Sequence, residues 1–334
     1  MELLVTIGKT VLFVAVVLGV TLLHVAYATY FERKVIGRMQ NRIGPIEVGF
    51  RGLLQPFADM LKLLFKEDII PNNADRPLFF IAPVIVVASV ITSLSVIPFF
   101  RNGSIANLNI GVLLIFAMAS LAVYGIIIAG WSSNSKYSFF GAIRSAAQVI
   151  SYEIAMCISL AGVFLMAGSL NLNDIVLAQR EQPLGMFVFP QIVGFVVFVI
   201  AAFAETNRTP FDLPEAEAEL VAGYLTEYSG FRYSLFFLAE YISMYIMSAL
   251  IALCYLGGWT LPGFLTRALP FLEFVPGIVW FMLKVYAFMF FYFWVRATVP
   301  RYRFDQLMAI GWKILIPVSV LNIVVTAFVK RWFM

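Results

Sequence analysis

Leu78 to Phe100 reads LFFIAPVIVVASVITSLSVIPFF, an uncharged and almost wholly apolar run of 23 residues. A hydrocarbon core of about 30 Å needs about 20 apolar residues in a helix, and with no water to satisfy the backbone only a helix or a closed barrel crosses it. The run lacks the polar–apolar alternation of a barrel strand, so it predicts a membrane-spanning helix. Seven further windows are also predominantly apolar, though four of them hold a single charged residue: 11–31, 110–131, 146–168, 186–204, 234–257, 276–295 and 310–329. The first is too long for the core of a signal peptide and has no basic segment before it, which predicts that it is retained.

Composition agrees with the windows. Hydrophobic residues make up 62% of the 334 residues and charged residues 13%, against roughly 45–50% apolar in a soluble domain. The expectation is an all-α polytopic membrane protein with about eight transmembrane helices in a single helical domain, 1–334. Neither internal repeats nor low-complexity linkers interrupt it, which speaks against an inverted-repeat transporter. Sixteen of the 23 Lys and Arg residues follow odd-numbered spans, among them Arg33, Arg42, Lys136, Arg208, Arg296 and Arg301. The positive-inside rule then puts both termini outside the cytoplasm, or outside the equivalent compartment of an organelle, and all dense polar loops inside. The modest net charge of +4 reflects these loops and gives no reason to invoke nucleic acid.

Several chemistries are excluded. Cys157 and Cys254 stand alone in apolar runs, and His24 is the only histidine, so neither a disulfide framework nor a metal site is indicated. No glycine-rich phosphate loop, CxxC or HExxH occurs. Flavin, nucleotide and iron–sulfur chemistry belongs elsewhere, and no catalytic residue is assigned to this chain.

The acidic residues are concentrated. ETNRTPFDLPEAEAELVAGYLTEYSG, from Glu205 to Gly230, holds Glu205, Asp212, Glu215, Glu217, Glu219 and Glu227, an acidic cytoplasmic loop in an otherwise apolar chain. Asp212 and Glu215 fit a helix start, Asp212 capping and Glu215 reaching back, with Pro214 in the first turn. Glu217 and Glu219 are left without that explanation, and crowded like charges in a poorly solvated place titrate as a coupled set that can pass protons. Glu153 and Glu240 lie within predicted spans, where a central charge costs roughly 2.5–3.5 kcal/mol, so each faces the interior, is neutral, or has a partner. Lys284, in the seventh window, is a candidate partner or snorkels to an interface. His24 reads more readily as a satisfied core residue than as a relay.

Between the first two windows, FRGLLQPFADMLKLLFK from Phe50 to Lys66 sets Leu53, Leu54, Phe57, Leu61, Leu64 and Phe65 on one helical face and Arg51, Gln55, Asp59, Lys62 and Lys66 on the other. It predicts an amphipathic interfacial helix bent at Pro56, either a surface anchor or the frame of an opening for a lipophilic ligand. The basic run before it, with Glu32, Arg33, Lys34, Arg38 and Arg42, is either a stop signal or a set of donors for a polar headgroup.

Laid out in this way, the chain resembles the family of respiratory complex I membrane subunits that join the membrane arm to the peripheral arm. The stretches that carry the resemblance are ERKVIGRMQNRIGP from Glu32, GLLQPFADMLKLLFKE from Gly52, NSKYSFFGAIRSAAQVISYE from Asn134, the acidic loop, and RYRFDQLMAIGWKILIP from Arg301. The resemblance covers almost the whole chain and shows no departure at the charged positions. It implies a subunit without a redox cofactor of its own that forms much of a quinone tunnel, with Arg33, Arg42, Phe57 and Asp59 in tunnel-lining segments. It also implies a proton pathway through Glu153, Glu205, Asp212, Glu215, Glu217, Glu219, Glu227 and Glu240. Quinone is then the substrate, and FMN and iron–sulfur clusters sit in partner subunits. The implied partners are the peripheral-arm quinone-site subunits, the small membrane-arm subunits and lipid. The implied location is the bacterial inner membrane, with an organelle inner membrane as the alternative. A related subunit of membrane-bound hydrogenases and a freestanding ion transporter are the rival readings. The long PFDLPEAEAELVAGYLTEYSG form favours the quinone-reducing enzymes.

Overall fold

The computed structural model describes residues 2–101, 103–182, 185–212, 221–262, 271 and 274–333. Glu215, Glu217 and Glu219 lie outside the described residues. Helices form wherever the apolar windows predict them: α1 (Glu2–Met39), α2 (Gln55–Phe65), α3 (Arg76–Leu94), α4 (Gly111–Ser132), α5 (Lys136–Ala167), α6 (Leu172–Glu181), α7 (Ile192–Glu205), α8 (Gly230–Tyr255), α9 (Gly277–Thr298), α10 (Phe304–Ala309) and α11 (Ile316–Phe333). A π-helical turn, Ile310–Leu315, joins the last two into one span. Among the described residues seven helices are long and apolar enough to cross a membrane, and no strand occurs. The protein is an all-α, multi-pass membrane protein.

Several boundaries differ from expectation. The first helix does not stop at Phe31 but runs to Met39, because Arg33, Lys34 and Arg38 keep good helix propensity while reaching water. The fifth window yields only the 14-residue α7, about 21 Å at 1.5 Å per residue. Its start is fixed at Gln191, whose side chain accepts from Asn322 Nδ2 at 2.8 Å and donates to Thr326 Oγ1 at 2.7 Å on α11. Such buried polar bonds hold helices together where lipid gives no hydrophobic driving force. Pro56 does not bend α2. It lies in the first turn, where its missing N–H has no intrahelical acceptor to lose.

Small residues bring the spans close. A Cβ on Gly130 would lie 2.4 Å from the Ala142 Cβ, and one on Gly125 2.5 Å from Val86 Cγ2, so α4 packs at backbone distance on α5 and α3. α5 then meets α7 and α11, α8 meets α3 and α9, and α1 meets α9, α8 and α2. This order brings the charged end of α1, the turn after α7, and facing positions of α8 and α9 to one place.

Candidate functional site

Glu32 is the centre of that place. It lies eight residues beyond His24 on the buried face of α1 and is only 3% exposed. Its Oε2 accepts from the Tyr241 hydroxyl of α8 at 2.5 Å. Its Oε1 accepts from Arg208 Nη1 at 3.2 Å and from Arg296 of α9. Arg208 continues the chain of charges, with Nε 2.6 Å from Glu240 Oε1 and the guanidinium carbon 4.4 Å from the Tyr241 ring centroid. Two arginines and two carboxylates make the cluster neutral as a whole, the condition under which buried charges are tolerated. Burial alone would lower the Arg208 guanidinium, but Glu240, Tyr241 and Glu32 outweigh it and raise the group above its ordinary value. It therefore stays charged.

Arg208 reaches this position because the turn after α7 is tied down. Gln148 of α5 donates to the carbonyls of Ala204 at 2.8 Å and Phe211 at 2.7 Å and to Asn207 Oδ1 at 3.2 Å. Tyr302 N donates to the Pro210 carbonyl at 3.1 Å, and Arg301 pairs with the buried Asp212 at 3.1 Å. Asp212 thus has a cationic partner beside the capping role expected of it, and its capping partner Glu215 lies outside the described residues.

Two cavities flank the cluster. One, of 690 Å³, is lined by Glu32, Arg33, Arg42, Tyr241 and Arg296 among others, and the turn at Gly44 folds back so closely that a Cβ there would be 3.1 Å from the Arg33 carbonyl. Asp59 accepts from Arg33 Nη1 at 2.6 Å, and Phe57 packs edge-on to Tyr27 of α1. Arg33 and Arg42 therefore line one cavity, and α2 is fastened beside it through Phe57 and Asp59. The second cavity, of 70 Å³, lies deeper and is lined by Glu205, Glu240, Thr206, Asn207, Ser93 and Ser243 among others. That is room for about two waters. One carboxylate oxygen of Glu205 is buried without a hydrogen-bond partner among the described residues. Glu153 of α5 accepts from Ser120 of α4 at 2.5 Å and bears on Glu205 electrostatically. Glu240 belongs to both neighbourhoods, paired with Arg208 and facing the small cavity.

Other residues fall elsewhere. Glu227 is half-buried in the turn before α8 and joins no ion pair among the described residues. Among the described residues Lys284 is no partner of the carboxylates. Its ammonium donates to the carbonyls of Leu256, Gly258 and Thr260 at 2.6, 2.8 and 2.7 Å and so closes the C-terminal end of α8, where orphan carbonyls need donors. His24 packs between Tyr245 and Tyr286, its Nδ1 3.1 Å from the Tyr286 hydroxyl. Sequence reasoning missed Glu32, Gln148, Arg208, Tyr241 and Arg296 as members of the site. The available signals were a lone carboxylate heading a basic run and an arginine inside the acidic stretch. Among the described residues no group of three or more His, Cys, Asp or Glu is placed to hold a metal.

Comparison with known proteins agrees with this architecture. A family described as NADH dehydrogenase matches residues 12–327. The chain is 54% identical over 322 residues to an NADH-quinone oxidoreductase subunit of Brevibacillus brevis, the one designated H, covering 96% of this chain and 92% of that one. It is 51% identical to the proteins of the same description from Anoxybacillus flavithermus, covering 96% and 95%, and Bacillus mycoides, covering 98% and 94%. The chain belongs to this family of NADH-quinone oxidoreductase subunits, which are membrane subunits of complex I.

Proposed function

We propose that the chain is the quinone-tunnel and coupling subunit of a proton-translocating NADH:quinone oxidoreductase, acting as one helical unit over 1–334. Reduction of a quinone to a quinol takes two electrons and two protons. The electrons come from NADH through FMN and iron–sulfur clusters in peripheral-arm partners, and this chain contributes the passage for the quinone and the groups that sense its chemistry. The basic cavity receives the quinone, with Arg33 and Arg42 as donors toward its polar head and with Phe57 and Asp59 of α2 at the lipid side. Small membrane-arm subunits and lipid cover the apolar flanks, both termini lie outside, and the membrane is the bacterial inner membrane.

The observation that carries this reading is the Arg208 bridge. One guanidinium contacts Glu32, on the basic cavity, and Glu240, on the small deep cavity shared with Glu205. At an effective dielectric of about 20, two unit charges 4 Å apart interact by about 4 kcal/mol. A proton gained or lost at Glu32 therefore removes or restores a pull on Arg208, the arginine that also holds Glu240, of a size comparable to moving one charge through a membrane potential of 100 mV, about 2.3 kcal/mol. Glu240, Glu205 and Glu153, with Asp212 and the loop carboxylates Glu215, Glu217, Glu219 and Glu227, form the proton pathway in this scheme. The test is Arg208→Lys in the assembled enzyme, which keeps one positive charge but lacks the fork that touches both carboxylates. The expected result is slow quinone reduction and weak proton pumping with normal NADH oxidation by a hydrophilic acceptor at the flavin. Normal quinone reduction and pumping would overturn the bridge.

A further inference from the structure

The ten residues between α2 and α3 cross the start of α8, and they do so with more than backbone contact. Arg232, in the first turn of α8, has a side chain 8% exposed and places Nε 3.1 Å from Oδ2 of Asp68. Its guanidinium carbon lies 4.0 Å from the ring centroid of Phe80 and 5.4 Å from that of Phe79. A cation over aromatic faces is held more strongly when desolvated, and Asp68 is the carboxylate it pairs with among the described residues. Beside it, Ser229 Oγ accepts from the Ile69 N–H at 2.9 Å. Gly230 has φ +55, and a Cβ there would stand 3.0 Å from the Lys66 carbonyl oxygen. The left-handed backbone and the close approach both favour glycine.

We propose that Arg232 and Asp68 form a latch that positions the entrance helix α2 for long-tailed quinone by fastening its C-terminal end to the segment in which the acidic loop ends. The N-terminal end of α2 is anchored to α1, through Arg33 to Asp59 and through the Tyr30 hydroxyl to the Arg51 carbonyl at 2.9 Å. Its C-terminal end has no such anchor on α1 among the described residues. Asp68 stands three residues beyond Phe65, the last residue of α2, and Ser229 directly precedes Gly230, where α8 begins. A shift of the segment leading into α8 is therefore transmitted to α2 through an ion pair whose arginine is buried beside the rings of Phe79 and Phe80 and whose aspartate side chain is 32% exposed. Arg232 and Asp68 touch no quinone and act by position. The inference rests on the reading that α2 frames the quinone entrance.

The experiment compares, in the assembled enzyme, a quinone carrying a long isoprenoid tail with a short-tailed, water-soluble one. Asp68→Asn and Arg232→Gln are expected to raise KM for the long-tailed quinone by about tenfold, one step of ~1.4 kcal/mol, with kcat and the short-tailed quinone little changed. Arg232→Lys, which keeps the charge over the rings, should retain most of the wild-type KM. The double variant should be no worse than either single one, because both break the same contact. Equal losses with both quinones, a loss in kcat alone, or wild-type kinetics would overturn the latch. Phe57→Trp separates the two levels. If it discriminates between tails while the latch variants do not, the latch falls and the entrance stands; if none discriminates, both fall. Should Arg232→Gln not assemble, Asp68→Asn and Arg232→Lys supply the same comparison.

Discussion

Replacing Glu32 by Gln removes the negative charge that touches both Arg208 and Arg296. The neutral cluster becomes positive by one unit at a site where Glu32 is 3% and Arg208 5% exposed. Breaking a buried pair by removing one partner costs about 3–5 kcal/mol. Arg208 cannot escape by losing its proton, since Glu240 and Tyr241 keep it charged. Arg296 can escape in part, because 36% of its side chain is exposed and it can turn into the basic cavity. The lower end of the range, about 3 kcal/mol, is therefore expected, or a drop on the order of a hundredfold if the whole amount falls on quinone reduction. The assay is NADH:quinone reductase in membranes, with NADH oxidation by a hydrophilic acceptor as the control for electron delivery. Adding Arg296→Gln to Glu32→Gln removes the surplus charge and should restore part of the rate, giving a favourable coupling in a double-mutant cycle. Wild-type quinone reduction in Glu32→Gln, or strictly additive losses in the double variant, would refute this reasoning.

Further outcomes follow from other contacts. Lys284→Met leaves the carbonyls of Leu256, Gly258 and Thr260 without their donor. It should lower stability by about 3 kcal/mol, at about 1 kcal/mol per bond, seen as a lower unfolding temperature of the assembled complex with an unchanged ratio of protons pumped to NADH oxidised. A bulky residue at Phe57 or charge reversal at Asp59 should slow long-tailed quinones more than short soluble ones; equal slowing would make α2 an anchor only. Gln148→Leu frees the turn that aims Arg208 and should mimic Arg208→Lys in quinone reduction without matching the Lys284 loss of stability. The chain purified without partners should transfer no electrons from NADH to a short-chain quinone, and flavin or cluster absorbance in that sample would contradict the assignment of those cofactors to partners.

The spans were legible because each window is apolar along its own length, and periodicity reports one element at a time. Their ends were less so. α1 continues through a basic run whose side chains reach water, and α7 begins late because Gln191 answers to Asn322 and Thr326, 131 and 135 residues away. The same limit applies to the site. Glu153, Glu205 and Glu240 stand out as carboxylates in apolar surroundings, yet the partners that give Glu240 its meaning do not. Glu32 reads as part of a basic stop signal until Arg208 and Arg296, 176 and 264 residues further on, close around it. Lys284 looked like a counter-charge for a carboxylate, and only the course of the chain after α8 supplies its three carbonyls.

Glu240→Gln in the assembled enzyme, reconstituted into sealed vesicles, tests the central claim most directly, because Glu240 touches Arg208 and also lines the deep cavity. Gln keeps the size and part of the hydrogen bonding while abolishing the titrating charge. The account predicts that quinone reduction and proton pumping both fall while NADH oxidation by a hydrophilic acceptor stays near normal. Full assembly with wild-type quinone reduction and wild-type pumping would contradict it.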